Sequence, residues 1–225
     1  MSQYEKIMQS LHGRDIYENF DASAFNIDLQ GWGSTHTVFA QAAQRIRPDL
    51  VIEVGSWKGA SAIHIAKLLE PHSVVVCVDT WLGTINNFLG QDGIEGDSLQ
   101  RKNGYPTLYF QFLANTVLSG VRGKIIPLPQ TSNNAAAILA KIGVRPDLIY
   151  LDGSHEVMDV YQDLSNYYPL LNNNGALIGD DFARDSVKTA VIHFKKNTGA
   201  VVYSHQNKFI FFKNRRYSFS GFKKL

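Results

Sequence analysis

The amino-acid sequence predicts an α/β fold with a doubly wound, mostly parallel sheet, and three observations support this prediction. Short apolar runs rich in branched residues alternate with helical segments along most of the chain. The run at 73–79 is apolar over nearly its whole length, as strands buried on both faces are. The last two runs are joined only by Gln206 and Asn207, so they must be antiparallel neighbours. We therefore expect seven strands, mostly parallel, with an antiparallel C-terminal strand.

Turn residues and apolar periodicity set the order of the elements. The first helix of the core ends before Pro48, and the first strand stops at Gly55. Residues 81–104 carry five glycines and no clear period, so we expect a loop insertion over one rim of the sheet. The predicted strands cover 50–55, 73–79, 124–129, 147–152, 175–181, 200–205 and 208–213, and the predicted helices cover 35–47, 59–69, 106–119, 131–141, 157–171 and 185–196.

The size and composition suit one domain over residues 1–225 with an N-terminal arm at 1–34. The chain is 44% hydrophobic and 19% charged, which supports a folded core, and its net charge of +2 is too small to indicate a nucleic-acid partner. Cys77 lies in an apolar run, which predicts a buried thiol. Without a signal-peptide core or about eighteen consecutive apolar residues, we expect a cytoplasmic protein with no membrane span; a homo-oligomer stays open. A basic cluster near the end predicts a solvated tail or a contact to an anionic ligand: Lys213, Arg215, Arg216, Lys223 and Lys224.

A glycine-bearing turn follows the first predicted strand, where open parallel sheets bind their ligands. Gly55 allows a tight turn, and Gly59 allows a close approach of the next helix. Asp79 ends the second strand, where a carboxylate can accept hydrogen bonds from ribose hydroxyls. The dinucleotide G-x-G-x-x-G pattern is missing, and Glu53 places a negative charge where a pyrophosphate would lie. A cofactor with a cationic end, such as S-adenosylmethionine, fits this turn better.

Further polar and aromatic residues lie at the same predicted rim. Trp81 is expected either to stack on the cofactor or to anchor the insertion. Thr131 and Ser132 are expected either to line an adenine pocket or to cap the helix that they precede. The remaining predicted cofactor contacts are Ser56, Ser61, Thr80 and Asp152.

Three aspartates and a histidine follow two other predicted strands. Asp152 ends one strand and Asp180 and Asp181 end the next, so their carboxylates can converge on a divalent cation, with His155 beside them to take a proton. Two adjacent carboxylates repel each other, which favours a nearby cation. The alternatives are a helix-capping role for Asp152, pairing of the acidic pair with a basic residue such as Arg184, and a solvent-facing His155.

Four segments carry a resemblance to a known family: EVGSWKGAS, CVDTW, LDGSH and LLNNNGALIGDDF, within residues 50–182. They resemble the Rossmann-like class I S-adenosylmethionine-dependent methyltransferases, and more narrowly the metal-dependent O-methyltransferases of the macrocin and mycinamicin type. The resemblance implies that Asp152, Asp180 and Asp181 bind Mg²⁺ or another divalent cation and that His155 is the general base. It also implies a small-molecule acceptor with a hydroxyl group, such as a sugar or a phenol.

Two other functions remain open at this point. One is a cephalosporin hydroxylase-like enzyme, although iron would favour a histidine-richer ligand set. The other is a non-catalytic module that binds S-adenosylmethionine without turnover, which an intact histidine and acidic set disfavour. A nicotinamide dehydrogenase is the least favoured, because of the missing glycine and the position of Glu53.

Overall fold

The structure is a computed structural model that describes residues 1–31, 34–94 and 96–225. Trp32 and Gly33 of the predicted arm and Glu95 of the predicted insertion lie outside the described residues. None of the helices in the described part of the chain is both long and apolar enough to cross a membrane.

An eight-stranded sheet forms the centre of the described structure, with strand order β3-β2-β1-β4-β5-β7-β6-β8. The first five strands are mutually parallel, and the last three pair antiparallel. The strands are β1 Leu50–Val54, β2 Val74–Asp79, β3 Ile125–Pro129, β4 Leu148–Leu151, β5 Ala176–Gly179, β6 Val202–His205, β7 Lys208–Phe212 and β8 Lys223–Lys224. The predicted doubly wound, mostly parallel fold is therefore confirmed.

The predicted count of seven strands is wrong by one. The extra strand, β8, consists of Lys223 and Lys224 and pairs with Ser204 and Tyr203 of β6. Two residues are too few to show any periodicity, and both lysine side chains are exposed, so composition alone suggested a solvated tail. Only the backbone of this part of the basic tail is fixed by the sheet.

The described residues form eight α-helices, which cover the sheet and its edges. Most lie within a few residues of their predicted bounds, whereas α1 was not predicted and α4 lies inside the predicted loop insertion. Ser2 and Glu5 form a capping box that starts α1, and Gly13 ends it in the left-handed conformation. The helices are α1 Gln3–His12, α2 Thr37–Ile46, α3 Ala60–Leu68, α4 Ile85–Phe88, α5 Leu108–Leu118, α6 Ser132–Lys141, α7 Val157–Tyr167 and α8 Asp185–Thr198.

The N-terminal arm packs along the β3 edge and reaches the turn after β1. The imidazole of His12 lies 2.8 Å from the carbonyl oxygen of Pro127, and the Tyr17 hydroxyl donates to the carbonyl oxygen of Ile125. Further along the arm, Asp28 pairs with Lys58 of the turn at 2.5 Å. The Asp28–Lys58 pair places this part of the arm beside the turn after β1.

The sheet reverses its strand order between β1 and β4. β1 pairs with β2 on one side and with β4 on the other, so the turns after these strands diverge and leave a crevice at their carboxyl ends. All five residues of β1 are buried, and the Cys77 thiol of β2 is fully buried, as predicted. The predicted site residues lie along this edge.

Candidate active site

The turn after β1 depends on two glycines with positive φ. Gly55 has φ +88°, and a Cβ atom added to it would lie 2.0 Å from the carbonyl oxygen of Asp152. Gly59 has φ +86° at the N-cap of α3, and its added Cβ would lie 3.0 Å from the Phe112 ring. The turn geometry predicted for both glycines is therefore confirmed. In addition, the backbone of this turn, called the cofactor turn below, packs directly against the backbone of Asp152.

Three buried polar atoms in this turn have no hydrogen-bond partner among the described residues. They are Oε2 of Glu53, Oγ of Ser56 and Nε1 of Trp57. The other carboxylate oxygen of Glu53 accepts a bond from Ser61 at 2.6 Å. Burial raises the pKa of Glu53 to about 7, and the neighbouring negative charge of Asp152 adds to the shift. Because buried polar groups are nearly always paired, three unpaired ones within five residues mark a place for a polar ligand.

Asp79, the predicted ribose contact, holds the turn and the insertion together. One of its oxygens accepts the Trp57 backbone N–H at 2.8 Å, and the other accepts the Trp81 backbone N–H at 2.7 Å. Burial raises the pKa of Asp79, while these backbone bonds oppose the shift. The predicted contact of Asp79 with the ribose stays a prediction.

Trp81 is buried where the insertion begins, with 2% of its surface exposed. Its indole N–H donates to the carbonyl oxygen of Trp57 at 2.7 Å, and its ring packs against Phe112 and Tyr109. Of the two expected roles, anchoring the insertion is the one visible in these contacts. A stacking contact with the cofactor stays a prediction.

The two residues expected after β3, Thr131 and Ser132, make hydrogen bonds to residues of α6 and α7. The Thr131 hydroxyl accepts the Asn134 N–H and caps α6, and the Ser132 hydroxyl donates to Asp163 on α7. Burial raises the pKa of Asp163 to about 6. The Thr80 hydroxyl similarly accepts the Leu82 N–H at 3.2 Å. The capping role expected for Thr131 is confirmed, and an adenine contact stays a prediction.

Asp152, His155 and Asp181 come together beyond β4 and β5. Each offers one ligand atom, and these atoms lie within 4.8 Å of one another. The His155 imidazole lies 2.5 Å from Asp181, whose other oxygen lies 3.3 Å from the Arg184 guanidinium. With Asp163 they line a small cleft of about 20 Å³. Two carboxylates and one imidazole at this spacing form a donor set that suits a divalent cation.

The pKa values of the two carboxylates in this cluster are shifted in opposite directions. Burial raises the pKa of Asp152 to about 7, and the charge of Asp180 adds to it. In contrast, the bond from His155 holds the pKa of Asp181 well below its usual range. The same bond raises the pKa of His155. Asp181 is therefore the permanently charged carboxylate of the cluster, and Asp152 is the one that burial makes easiest to protonate.

Asp180 is held by other residues. One oxygen accepts bonds from the Tyr150 hydroxyl at 2.8 Å and from the Lys208 ammonium. The other accepts the Asp181 backbone N–H at 2.7 Å and the Asn207 side-chain amide at 3.1 Å. Pairing of the acidic residues with basic side chains, the alternative to metal binding, therefore occurs twice, because Arg184 contacts Asp181 and Lys208 contacts Asp180.

Sequence reasoning missed Tyr150, Lys208 and Asn207 as parts of this cluster. Asn207 lies in the predicted hairpin turn, and its amide contacts both Asp180 and Asp181. The signal available in the sequence was that each of these polar residues lies in or next to an apolar strand: Tyr150 near the end of β4, Lys208 at the start of β7 and Asn207 just before it. Such a signal gains meaning only when the strand order is known.

A turn built for a polar cofactor at the strand-order reversal, next to a carboxylate and imidazole cluster, defines a cofactor-dependent α/β enzyme. A family model described as a methyltransferase domain matches residues 52–182, more than half of the chain. The chain therefore belongs to this methyltransferase family, and the resemblance seen in its motifs is confirmed. A search of curated protein sequences found no match.

Several solved structures share the fold. The O-methyltransferase NovP is 18% identical, with 94% of this chain and 98% of that chain covered and a TM-score of 0.60. TomG of Streptomyces achromogenes, an O-methyltransferase of tomaymycin synthesis solved with S-adenosylmethionine, is 13% identical over 93% and 88%, with a TM-score of 0.59. An O-methyltransferase of Bacillus cereus in complex with SAH is 13% identical over 92% and 89%, with a TM-score of 0.55.

Proposed function

We propose that this protein is an S-adenosylmethionine-dependent O-methyltransferase, assisted by a divalent cation, that methylates a hydroxyl of a small acceptor such as a sugar or a phenol. The observation that carries the proposal is the contact between the cofactor turn and the acidic cluster, made where Gly55 lies against the backbone of Asp152. The two sites are therefore adjacent, as methyl transfer from a cofactor to a cation-bound acceptor requires. NovP and TomG, which share the fold, are O-methyltransferases.

The cofactor half of the proposal uses the turn after β1. The unpaired polar atoms of Glu53, Ser56 and Trp57 bind the polar part of the cofactor, and the cationic end of the cofactor favours the charged form of Glu53, whose pKa burial raises to about 7. The Asp79 carboxylate accepts hydrogen bonds from the ribose hydroxyls. S-adenosylmethionine supplies an electrophilic methyl group. The other proposed contacts are Gly55, Gly59, Ser61, Thr80, Trp81, Thr131, Ser132 and Asp152.

The reactive half uses the cluster beyond β4 and β5. Asp152 and Asp181 would hold a divalent cation, and a bound Mg²⁺ or similar ion would make an acceptor hydroxyl more acidic. His155 takes the proton of that hydroxyl, and Asp181 orients the imidazole through the 2.5 Å contact. The protein contributes mainly by holding the acceptor oxygen in line with the methyl group.

Titration calorimetry tests the cofactor assignment. The protein should bind S-adenosylmethionine and its demethylated product, and it should give no binding heat with NAD, because the turn lacks the third glycine and carries Glu53. Glu53→Gln should weaken the binding of S-adenosylmethionine more than that of its demethylated product, because only S-adenosylmethionine carries a sulfonium charge. Binding of NAD alone would contradict the proposed function.

The pH dependence of turnover tests His155. Only the neutral imidazole can accept a proton, so turnover should fall as the pH drops through the pKa of His155, which Asp181 holds above the ordinary histidine value. His155→Gln should lower kcat by about 10²- to 10⁴-fold and remove this acidic limb.

The matched control is His72→Gln. His72 also contacts an aspartate, Asp49, at 2.9 Å, but this pair lies at the opposite end of the strands. That variant should keep both the rate and the pH profile. A His155→Gln enzyme with the wild-type pH profile would show that another group accepts the proton.

A further inference from the structure

Lys208 is a buried lysine at the start of β7, with 2% of its surface exposed. Its ammonium group donates to Asp180 and, at 3.0 Å, to the Tyr150 hydroxyl. The ammonium nitrogen also lies 5.8 Å from the centre of the Phe39 ring and 5.1 Å from that of Tyr150. A desolvated ammonium is costly unless a negative charge compensates it, so Asp180 and Lys208 stabilise each other's charge.

The bonds to Asp180 leave little room for a metal ion. A carboxylate has about four acceptor positions, and Asp180 receives bonds from four groups. The donors are Tyr150, Lys208, Asn207 and the backbone N–H of Asp181. A divalent cation at this carboxylate would have to displace one of them and would lie next to an ammonium group that repels it.

The same lysine is connected to Asp152. The Tyr150 hydroxyl lies 2.9 Å from Asp152 and 2.8 Å from Asp180, and it accepts a bond from Lys208. Because a phenol hydroxyl has only one proton, Tyr150 donates to one of the two carboxylates at a time, so this connection does not fix the orientation of Asp152. Asp181 has no contact with the lysine; its oxygens contact His155, Arg184 and the Asn207 amide.

We propose that Lys208 is an internal counter-cation that removes Asp180 from the metal-ligand set, so that Asp152 and Asp181 alone supply the carboxylates for the cation. The inference rests on the proposed function, because it concerns the cation of that site. It differs from the expectation of three aspartate ligands.

Binding of Mn²⁺, measured by calorimetry and by electron paramagnetic resonance without acceptor, tests this assignment. The double variant Asp180→Asn with Lys208→Met removes both charges and keeps the side-chain sizes. It should bind Mn²⁺ within about threefold of wild type, because replacing a buried ion pair as a unit is often neutral. Asp181→Asn should weaken Mn²⁺ by about tenfold to a hundredfold or more. Lys208→Met alone, which leaves Asp180 without a counter-charge, should bind Mn²⁺ more tightly than wild type.

The controls distinguish a failure of the inference about Asp180 from a failure of the proposed metal-assisted function. Thermal unfolding and S-adenosylmethionine binding establish that each variant is folded. If wild type binds Mn²⁺ and the folded double variant loses it as strongly as Asp181→Asn does, Asp180 is a ligand and the inference is overturned alone. If wild type binds S-adenosylmethionine but no Mn²⁺, or if Asp181→Asn binds Mn²⁺ like wild type, the metal part of the proposed function fails and the inference with it.

Discussion

Gly55→Ala should destabilise the protein by about 3 kcal/mol or more and abolish cofactor binding, because the new methyl group would overlap the backbone of Asp152. The backbone at Gly55 has φ +88°, and the added Cβ would lie 2.0 Å from the Asp152 carbonyl oxygen and 2.8 Å from the Cα atom of Gly153. Both atoms belong to the backbone that follows β4, so the clash cannot be relieved by a change of side-chain rotamer. Either the turn or the acidic cluster must move.

The expected loss corresponds to a fall in Tm of about 6–12 °C for a chain of this length, measurable by thermal unfolding. Gly143→Ala is the matched control. Gly143 has φ +76° with no atom within 4 Å of its added Cβ, so that variant carries only the conformational cost of a positive φ. Equal effects of the two substitutions would show that the contact with Asp152 contributes nothing to stability or binding.

Asp181→Asn should lower kcat by about 10²- to 10³-fold while leaving S-adenosylmethionine affinity nearly unchanged, because a catalytic cation contributes several kcal/mol. Asp181 contacts His155 at 2.5 Å and Arg184 at 3.3 Å, so the neutral amide would weaken cation binding and misorient the imidazole together. The measurement is steady-state turnover in Mg²⁺ or Mn²⁺ and after treatment with a chelator, with cofactor binding followed by calorimetry.

Asp159→Asn serves as the control for this substitution. Asp159 lies on α7 close to the cluster, but its carboxylate accepts a bond from the Ser154 hydroxyl at 2.7 Å and is not among the grouped ligand atoms. The control should keep wild-type turnover and metal dependence. If the Asp181→Asn enzyme turns over at the wild-type rate in chelator, the cation has no part in the mechanism.

Much of the site could be predicted from the chain because parallel strands share one carboxyl edge. That rule brings the turn at Gly55 close to Asp152, and it brings Asp181 into the same cluster as His155. It does not say which of two adjacent carboxylates faces outward. Asp180 and Asp181 are equivalent in sequence, yet one contacts a buried ammonium and the other an imidazole.

Local patterns in the sequence by themselves determined the strand and helix alternation, the two glycine turns and the acidic residues at strand ends, because periodicity, φ preference and strand polarity act over a few residues. Tertiary structure alone decided the partners. The antiparallel register that pairs Gly179 with Phe209 brings Lys208 beside Asp180, and β6 gives Lys223 and Lys224 a strand to join. Such contacts join residues that are far apart in the chain. Their energies depend on the order of the strands in the sheet, which cannot be read from any short segment of the sequence.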